Sequence, residues 1–372
     1  MRGKYIMDTK NIAAIVIAFI VGLGIGVVIG PALAPKPQPK PKMHLLFSLD
    51  WAIYGRHAPY FVALEKGFFD EEGLTVEIVR GYGSADTIQK VATGVVDVGF
   101  GDISALIIAK AKDPKFNAKM VAMIYARAPF AVFALKKSGI KEPKDLEGKT
   151  LSAAGPGDIN YVLFPYFAKV TGIDPNTIKW KFVKPAVKVQ LLVNEEVDAI
   201  TEFAMQKPVV EKAAADKGGA VMILWADYGV NIYSNGIVFR EDFIKKHPEV
   251  VRGFVRAVVK GFLYTFEHPD EAVDILLKRF PTLDREVARA EIDILKKLVL
   301  VPEAQEHGIG YFDPERVQAT IDAITEVFNL PRKVSPDEIY TDEFLPGKIS
   351  LEYLEPLKAE NIVALIATNE EY

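Results

Sequence analysis

The sequence predicts an α/β protein built as two similar lobes around a cleft, and three observations carry that reading. From Met43 onward, short apolar runs alternate with longer amphipathic stretches, the pattern of strands covered by helices. One unit recurs: Val91-Ala92-Thr93-Gly94-Val95-Val96-Asp97-Val98 is matched by Leu191-Leu192-Val193-Asn194-Glu195-Glu196-Val197-Asp198-Ala199. Each copy is a helix end, a turn, and an Asp leading into a buried strand. The chain after the first forty or so residues is also long enough for two lobes with a generous core. Repetition of one unit in both halves predicts lobes that face each other, with a ligand held between them.

In the first half, residues 44–49 read as a strand delivering Asp50-Trp51, and residues 59–66 as a helix stopped by Gly67. A strand over 75–79 ends in Gly81-Tyr82-Gly83-Ser84, a helix follows over 85–92, and a strand over 96–100 presents Gly101-Asp102. A helix over 103–112 and strands over 120–125 and 131–135 come next. The second half repeats the scheme with strands over 149–153, 178–183 and 199–202 and helices over 161–171 and 187–193. The loop Ala154-Gly155-Pro156-Gly157-Asp158 joins the first of those strands to its helix. From about residue 241 to 330 the pattern is mostly helical, punctuated by Pro248, Pro269 and Pro281.

Ahead of this globular pattern stand an apolar segment over 12–34 and the stalk Pro35-Lys36-Pro37-Gln38-Pro39-Lys40-Pro41-Lys42. The segment is about as long as the ~20 residues a membrane-spanning helix needs, and longer than the roughly 7–15 of a signal-peptide core. It reads first as an uncleaved anchor, with secretion after cleavage at Ala32-Leu33-Ala34 as the alternative, although Pro35 would obstruct that cut. Either way the domain is expected outside the cytoplasm, because a single N-terminal apolar segment normally exports the large domain behind it. The Pro/Lys stalk favours an extended polyproline conformation and would hold the domain off the membrane.

Composition excludes several classes. A net charge of −4, with no basic stretch interleaved with aromatics, argues against a nucleic-acid partner. The absence of cysteine removes disulfides, a thiolate nucleophile and Cys-ligated metals. The five His residues lack zinc-protease spacing, and neither a phosphate-binding P-loop nor a Gly-x-Ser-x-Gly elbow occurs, so no catalytic, metal or cofactor site is expected.

Asp50-Trp51, His57, and then Lys66-Gly67-Phe68-Phe69-Asp70-Glu71-Glu72-Gly73-Leu74-Thr75-Val76-Glu77 resemble the opening of the substrate-binding proteins of ABC importers for thiamine precursors, alkanesulfonates and nitrate. Gly83-Ser84, Gly94-Val95-Val96-Asp97-Val98-Gly99, Asp145-Leu146-Glu147-Gly148-Lys149-Thr150 and His247-Pro248-Glu249-Val250-Val251-Arg252-Gly253-Phe254 fit the same family in the same order. The resemblance implies a periplasmic-binding-protein type II fold with a central cleft and two hinge crossovers. Lobe one would comprise 43–130 and 237–345, lobe two 131–236, and a C-terminal extension 346–372. It also implies capture of a small solute by lobe closure, and delivery to a permease and its ATPase. Leu49-Asp50-Trp51 with a following His is most similar to the thiamine-pyrimidine branch, although Ala52-Ile53-Tyr54-Gly55-Arg56 replaces that branch's Asn-rich loop. A eukaryotic relative uses the same fold as a pyrimidine-forming enzyme with a cysteine-rich motif and a sacrificial His, whose position His57 matches. The missing cysteines argue against that activity. A membrane-coupled sensor is a third reading, opposed by the lack of a signalling domain before residue 12.

Candidate ligand residues are those that strand ends deliver. Trp51 offers a stacking face or is a packed core ring, and Asp50 beside it offers an acceptor. Gly83-Ser84 and Gly157-Asp158 each precede a helix, where backbone N–H groups hold a polar ligand atom or the side chains merely cap. Asp102 and Glu202 end corresponding strands, either as paired cleft acceptors or as solvated loop acids. Arg127, near the first crossover, would clamp a sulfonate or carboxylate, or else bridge the lobes. Tyr233 and Asn235, near the second crossover, would present an aromatic face and read a ring edge, or simply form a turn. The favoured ligand is a heterocycle such as a thiamine-type pyrimidine, and the alternative is a small anion.

Overall fold

The computed structural model describes residues 42–347. The apolar segment 12–34, the stalk as far as Pro41 and nearly all of the extension 346–372 lie outside the described residues. Within them the chain lays down strands β1 (Met43–Ser48), β2 (Leu74–Val79), β3 (Val98–Asp102) and β4 (Lys119–Met123). Then come β5 (Phe130–Leu135), β6 (Thr150–Ala153), β7 (Lys179–Phe182), β8 (Ala199–Phe203) and β9 (Ala220–Leu224), and finally β10 (Asn235–Phe239). They form two five-stranded sheets, one ordered β2-β1-β3-β10-β4 and the other β7-β6-β8-β5-β9.

The sheets are built alike. In each, four strands point the same way, and the strand that enters from the other half, β10 or β5, runs antiparallel to both its neighbours. The chain therefore passes between the sheets twice, after β4 and after β9.

The repeated Asp has a local reason. Asp97 accepts the Leu46 N–H at 2.8 Å and returns its own N–H to the Leu46 carbonyl at 3.0 Å, which fixes β3 against β1. Asp198 treats Thr150 the same way, at 2.7 Å and 2.9 Å, fixing β8 against β6. The turn before each Asp needs a left-handed residue, Gly94 with φ 75° in one copy and Glu195 with φ 63° in the other.

The helices Ala58–Glu65, Ser84–Ala92, Ile103–Lys112, Ile159–Thr171 and Lys188–Val193 fall where the apolar periodicity places them, to within two residues at each end. Strands β9 and β10 are not among the strands expected from the sequence, although β9 is a continuous apolar run after Gly218-Gly219. Each is a short run with little alternation, and the start of β10 reads as a turn.

The core of the first sheet is an aromatic cluster of Phe47, Tyr60, Phe100, Phe254 and Phe262, edge-to-face except for the tilted pair Tyr60 and Phe100. The long helix Pro248–Glu267 packs on Ala58–Glu65 at Gly261, where a methyl group would collide with the Pro59 carbonyl. The helix Arg285–Val299 touches both sheets' surroundings. It meets the turn Gly55–His57 on one side, and the segment Ala204–Gln206 after β8 on the other. Among the described residues, no helix is long and apolar enough to cross a membrane, and no three acidic or His side chains gather as a metal site.

Candidate functional site

β1 runs out at Ser48, and the next residues stand at the carboxyl end of a parallel strand, where open α/β sheets present ligand contacts. Asp50 is buried there with its oxygens occupied. Arg56 Nη2 donates at 3.1 Å, His57 Nε2 at 2.9 Å and Asn235 Nδ2 at 3.0 Å. Burial alone would raise the Asp50 carboxyl, but Arg56 and His57 outweigh it and hold it down at about 2. His57 is fully enclosed, and its Nδ1 accepts the Tyr54 N–H at 3.0 Å. That bond leaves the proton on Nε2, facing Asp50, and burial together with Arg56 lowers the ring to about 4. The imidazole is neutral and both nitrogens are committed.

Arg56 is the cation this network positions. Its guanidinium lies 5.2 Å from the centre of the Phe203 ring, which belongs to the other sheet, and 5.5 Å from that of Tyr54. Its Nε is buried without a protein partner.

The second sheet answers with Lys188, the first residue of its helix and almost wholly buried. Its Nζ lies 2.8 Å from Glu202 Oε1 and 3.5 Å from Asp158 Oδ2, and donates to the Thr201 carbonyl at 2.7 Å. Burial works against the charge, yet Glu202 and Asp158 outweigh it and hold the ammonium above its usual range. Asp158 is also the cap of Ile159–Thr171, accepting the Asn160 N–H at 3.0 Å and the Ala154 N–H at 2.8 Å. Asn160 is buried, and its Oδ1 lacks a hydrogen-bond donor.

These groups close around a cleft of about 40 Å³ lined by Asp50, Trp51, Arg56, Gly83, Ser84, Asp158, Ile159, Asn160, Lys188, Glu202 and Phe203. The halves nearly touch at its rim. A methyl group on Gly83, whose φ is +119°, would sit 3.6 Å from the Gly157 carbonyl and 3.7 Å from the Trp51 ring. That volume is far below the roughly 300–1,000 Å³ of small-molecule pockets, so the two halves stand close together around the site.

Six residues singled out in the sequence are thus brought together: Asp50, Trp51, Gly83, Ser84, Asp158 and Glu202. His57 and Asn235 stand behind Asp50, and Gly157 borders the rim. Asp102 is no partner of Glu202. It caps Ile103–Lys112 by accepting the Ser104 N–H, also accepts the Ser234 hydroxyl, each at 2.7 Å, and is pushed up to about 6 by burial. Arg127 is outside the cleft lining, its exposed guanidinium tied to Asp227 at 2.6 Å. Tyr233 is likewise turned away, its hydroxyl accepting the Asp313 N–H at 2.9 Å beneath Arg316. The sequence reading missed Arg56, Ile159, Asn160, Lys188 and Phe203. Only Arg56 left a trace, as a cation where an Asn-rich loop was expected. Lys188 is one of several lysines in its stretch.

The family model described as NMT1/THI5-like matches residues 55–272, more than half of the chain. The chain belongs to the NMT1/THI5-like family. The chain's relatives include both binders and enzymes by name. The riboflavin-binding protein RibY of Chloroflexus aurantiacus is 29% identical over 302 residues, covering 78% of this chain and 82% of that protein. The formylaminopyrimidine-binding protein of Halalkalibacterium halodurans is 28% identical, over 74% of this chain and 83% of its own. The 4-amino-5-hydroxymethyl-2-methylpyrimidine phosphate synthase of Legionella pneumophila is 27% identical, over 65% and 75%.

The fold of this NMT1/THI5-like chain is that of the alkanesulfonate-binding protein SsuA from Xanthomonas axonopodis pv. citri, with a TM-score of 0.62 at 14% identity over 82% of this chain and 99% of the other. A ligand-binding component of an ABC-type import system from Staphylococcus aureus superposes with a TM-score of 0.61 at 15% identity, over 82% and 98%.

Proposed function

We propose that this protein is the extracytoplasmic solute-binding component of an ABC importer, and that it captures a small amino-bearing heterocycle of the thiamine-pyrimidine type by lobe closure. The observation that carries the ligand class is the commitment of both cations lining the cleft. Arg56 is tied to Asp50, and Lys188 to Glu202, Asp158 and the Thr201 carbonyl. A sulfonate or nitrate would find the backbone N–H groups after Gly83, the Ser84 hydroxyl and the one unpartnered Arg56 Nε–H, but no cation free of a carboxylate. A heterocycle finds the faces of Trp51 and Phe203, the Glu202 carboxylate and the unsatisfied Asn160 Oδ1.

The relatives named for formylaminopyrimidine and riboflavin bind ring systems, which supports the same choice. Pyrimidine synthesis is disfavoured because His57 is sealed in, with both nitrogens bonded. The segment 12–34 would tether the domain to the outer face of the membrane beside its permease, and no covalent chemistry is required.

The test is calorimetry with 4-amino-5-hydroxymethyl-2-methylpyrimidine, its N-formylaminomethyl analogue, riboflavin, taurine and nitrate. A pyrimidine is expected to bind and nitrate to leave the protein unchanged. Trp51→Ala should weaken the pyrimidine at least tenfold, about 1.4 kcal/mol. Tight nitrate or taurine binding that survives Trp51→Ala would reverse the assignment.

A further inference from the structure

A second space adjoins the polar cleft. Ile159 lines the cleft on one side and this far larger space on the other, and Ala85 and Gly157, chain neighbours of cleft residues Ser84 and Asp158, line that space too. The groove has a volume of about 810 Å³, within the range of small-molecule sites, whereas the cleft holds about 40 Å³. Its walls come from both halves of the molecule. Ile88, Ala105 and Ala109 face it from the helices Ser84–Ala92 and Ile103–Lys112, while Phe164 and Trp180 face it from the other half. The lining is largely apolar and aromatic, in contrast to the charged cleft next to it.

We propose that the groove is a second subsite for the same ligand, taking an apolar or aromatic substituent whose polar ring is held in the cleft. This rests on the heterocycle reading of the cleft and narrows it: the preferred solute is a substituted ring rather than a bare one. The two spaces share Ile159 as a wall, so a substituent on a ring held in the cleft has to reach past one side chain to enter the groove. The small side chains Ala105 and Ala109 leave room between two helices where larger residues would fill the groove. A ligand seated in both spaces touches both halves, so its substituent adds to the force that holds them closed.

The experiment uses 4-amino-2-methylpyrimidines carrying 5-acylaminomethyl groups of increasing length, formyl, butanoyl and hexanoyl, titrated into the full-length protein. Affinity is expected to rise by up to about fourfold for each methylene that enters the groove. Ala109→Trp, which fills the groove, should erase that rise while leaving the formyl compound's affinity within about twofold. Ile108→Asn, which makes the wall polar without filling it, should flatten the series if the Trp variant folds poorly. Affinity that does not grow with chain length, or growth that persists in a folded Ala109→Trp protein, overturns the subsite. Lys188→Met separates the two readings. It should weaken every member of the series alike, and a series that binds unchanged in that variant overturns the cleft assignment instead.

Discussion

Each half of the molecule sets a buried cation against carboxylates where its strands end, but the two clusters are wired differently. In the first half, Asp50 spends its oxygens on three protein donors, Arg56, His57 and Asn235, and is almost wholly enclosed. In the second, the Glu202 side chain that holds Lys188 is 16% exposed, and the neighbouring Asn160 Oδ1 has no donor at all. The first cluster has its carboxylate fully engaged and holds one guanidinium, whose Nε alone is left without a partner. The second keeps acceptors in reserve, so on the proposed heterocycle reading recognition of a polar ring would fall mainly to the second half, while the first would supply rigidity and the Trp51 face. Such a division suits a closing cleft, since a preorganised wall lowers the ordering cost of meeting a ligand presented by the other wall.

The sharpest way to break this comparison is to remove one partner from each cluster. Asp50→Asn strands Arg56 in a buried site, and should lower unfolding stability in urea by about 3–5 kcal/mol. Lys188→Met leaves the partly exposed Glu202 carboxylate able to turn toward water, while Asp158 keeps its two backbone N–H donors. It should cost about 2 kcal/mol of stability, the scale of a lost charged hydrogen bond, while reducing pyrimidine affinity at least tenfold. Equal stability losses with no effect on binding would show that the halves do not divide the work.

A second test concerns the helix that touches both halves. Glu291, buried on Arg285–Val299, accepts the Gly55 N–H at 2.5 Å and the Gln206 amide at 3.3 Å. Burial raises its carboxyl to about 8, although Arg56 and the Gly55 N–H oppose the shift. The native state then keeps this proton to higher pH than the unfolded chain. The resulting stability is complete below about pH 4.5 and is lost as pH rises through about 8. Glu291→Gln should remove that loss, so the variant should gain on the wild type steadily between those limits. His57 and Asp102 titrate in both proteins and cancel in the difference. A constant offset across the range would mean that Glu291 is ionised throughout.

The smallest expected effect lies in the repeated turn. Gly94→Ala forces a side chain into a left-handed position and into the Arg240 guanidinium, so it should cost about 1–2 kcal/mol. Glu195→Gly relieves the same strain in the other half. It also frees the unfolded chain and gives up exposed ion pairs to Lys137 and Lys217, so the change should be within about 0.5 kcal/mol of zero. Thermal melts of the two variants measure the asymmetry directly. Similar losses at both sites would deny that the two turns are equivalent.

The repeat itself was legible because its cause is local. An Asp that bonds a neighbouring strand's N–H must stand at one register, and the turn before it needs one left-handed residue, so both copies keep the same spacing. The helices were legible for the same reason, since periodicity and caps act within a few residues. At the cleft, Asp50, Trp51, Gly83, Ser84, Asp158 and Glu202 could be named because strand ends and helix starts are local features too. Asp102 shows the limit. It ends a strand in the same way as Glu202, yet caps its own helix and meets Ser234, a residue far along the chain.

By itself the sequence determined the two-lobed α/β plan, the positions of most strands and helices up to the second crossover, and the family. Each rests on short-range chemistry that survives whatever the rest of the chain does. The tertiary structure alone decided which charges face the cleft. Lys188 becomes its cation only because the helix it begins packs beside β8, and Arg127 and Tyr233 leave it because Asp227 and Asp313 claim them first. Asn235 reaches Asp50 only because β10 returns, antiparallel, beside β3. These are pairings between residues distant in sequence, fixed by competition among burial, charge and hydrogen bonding, and no spacing along the chain encodes their outcome.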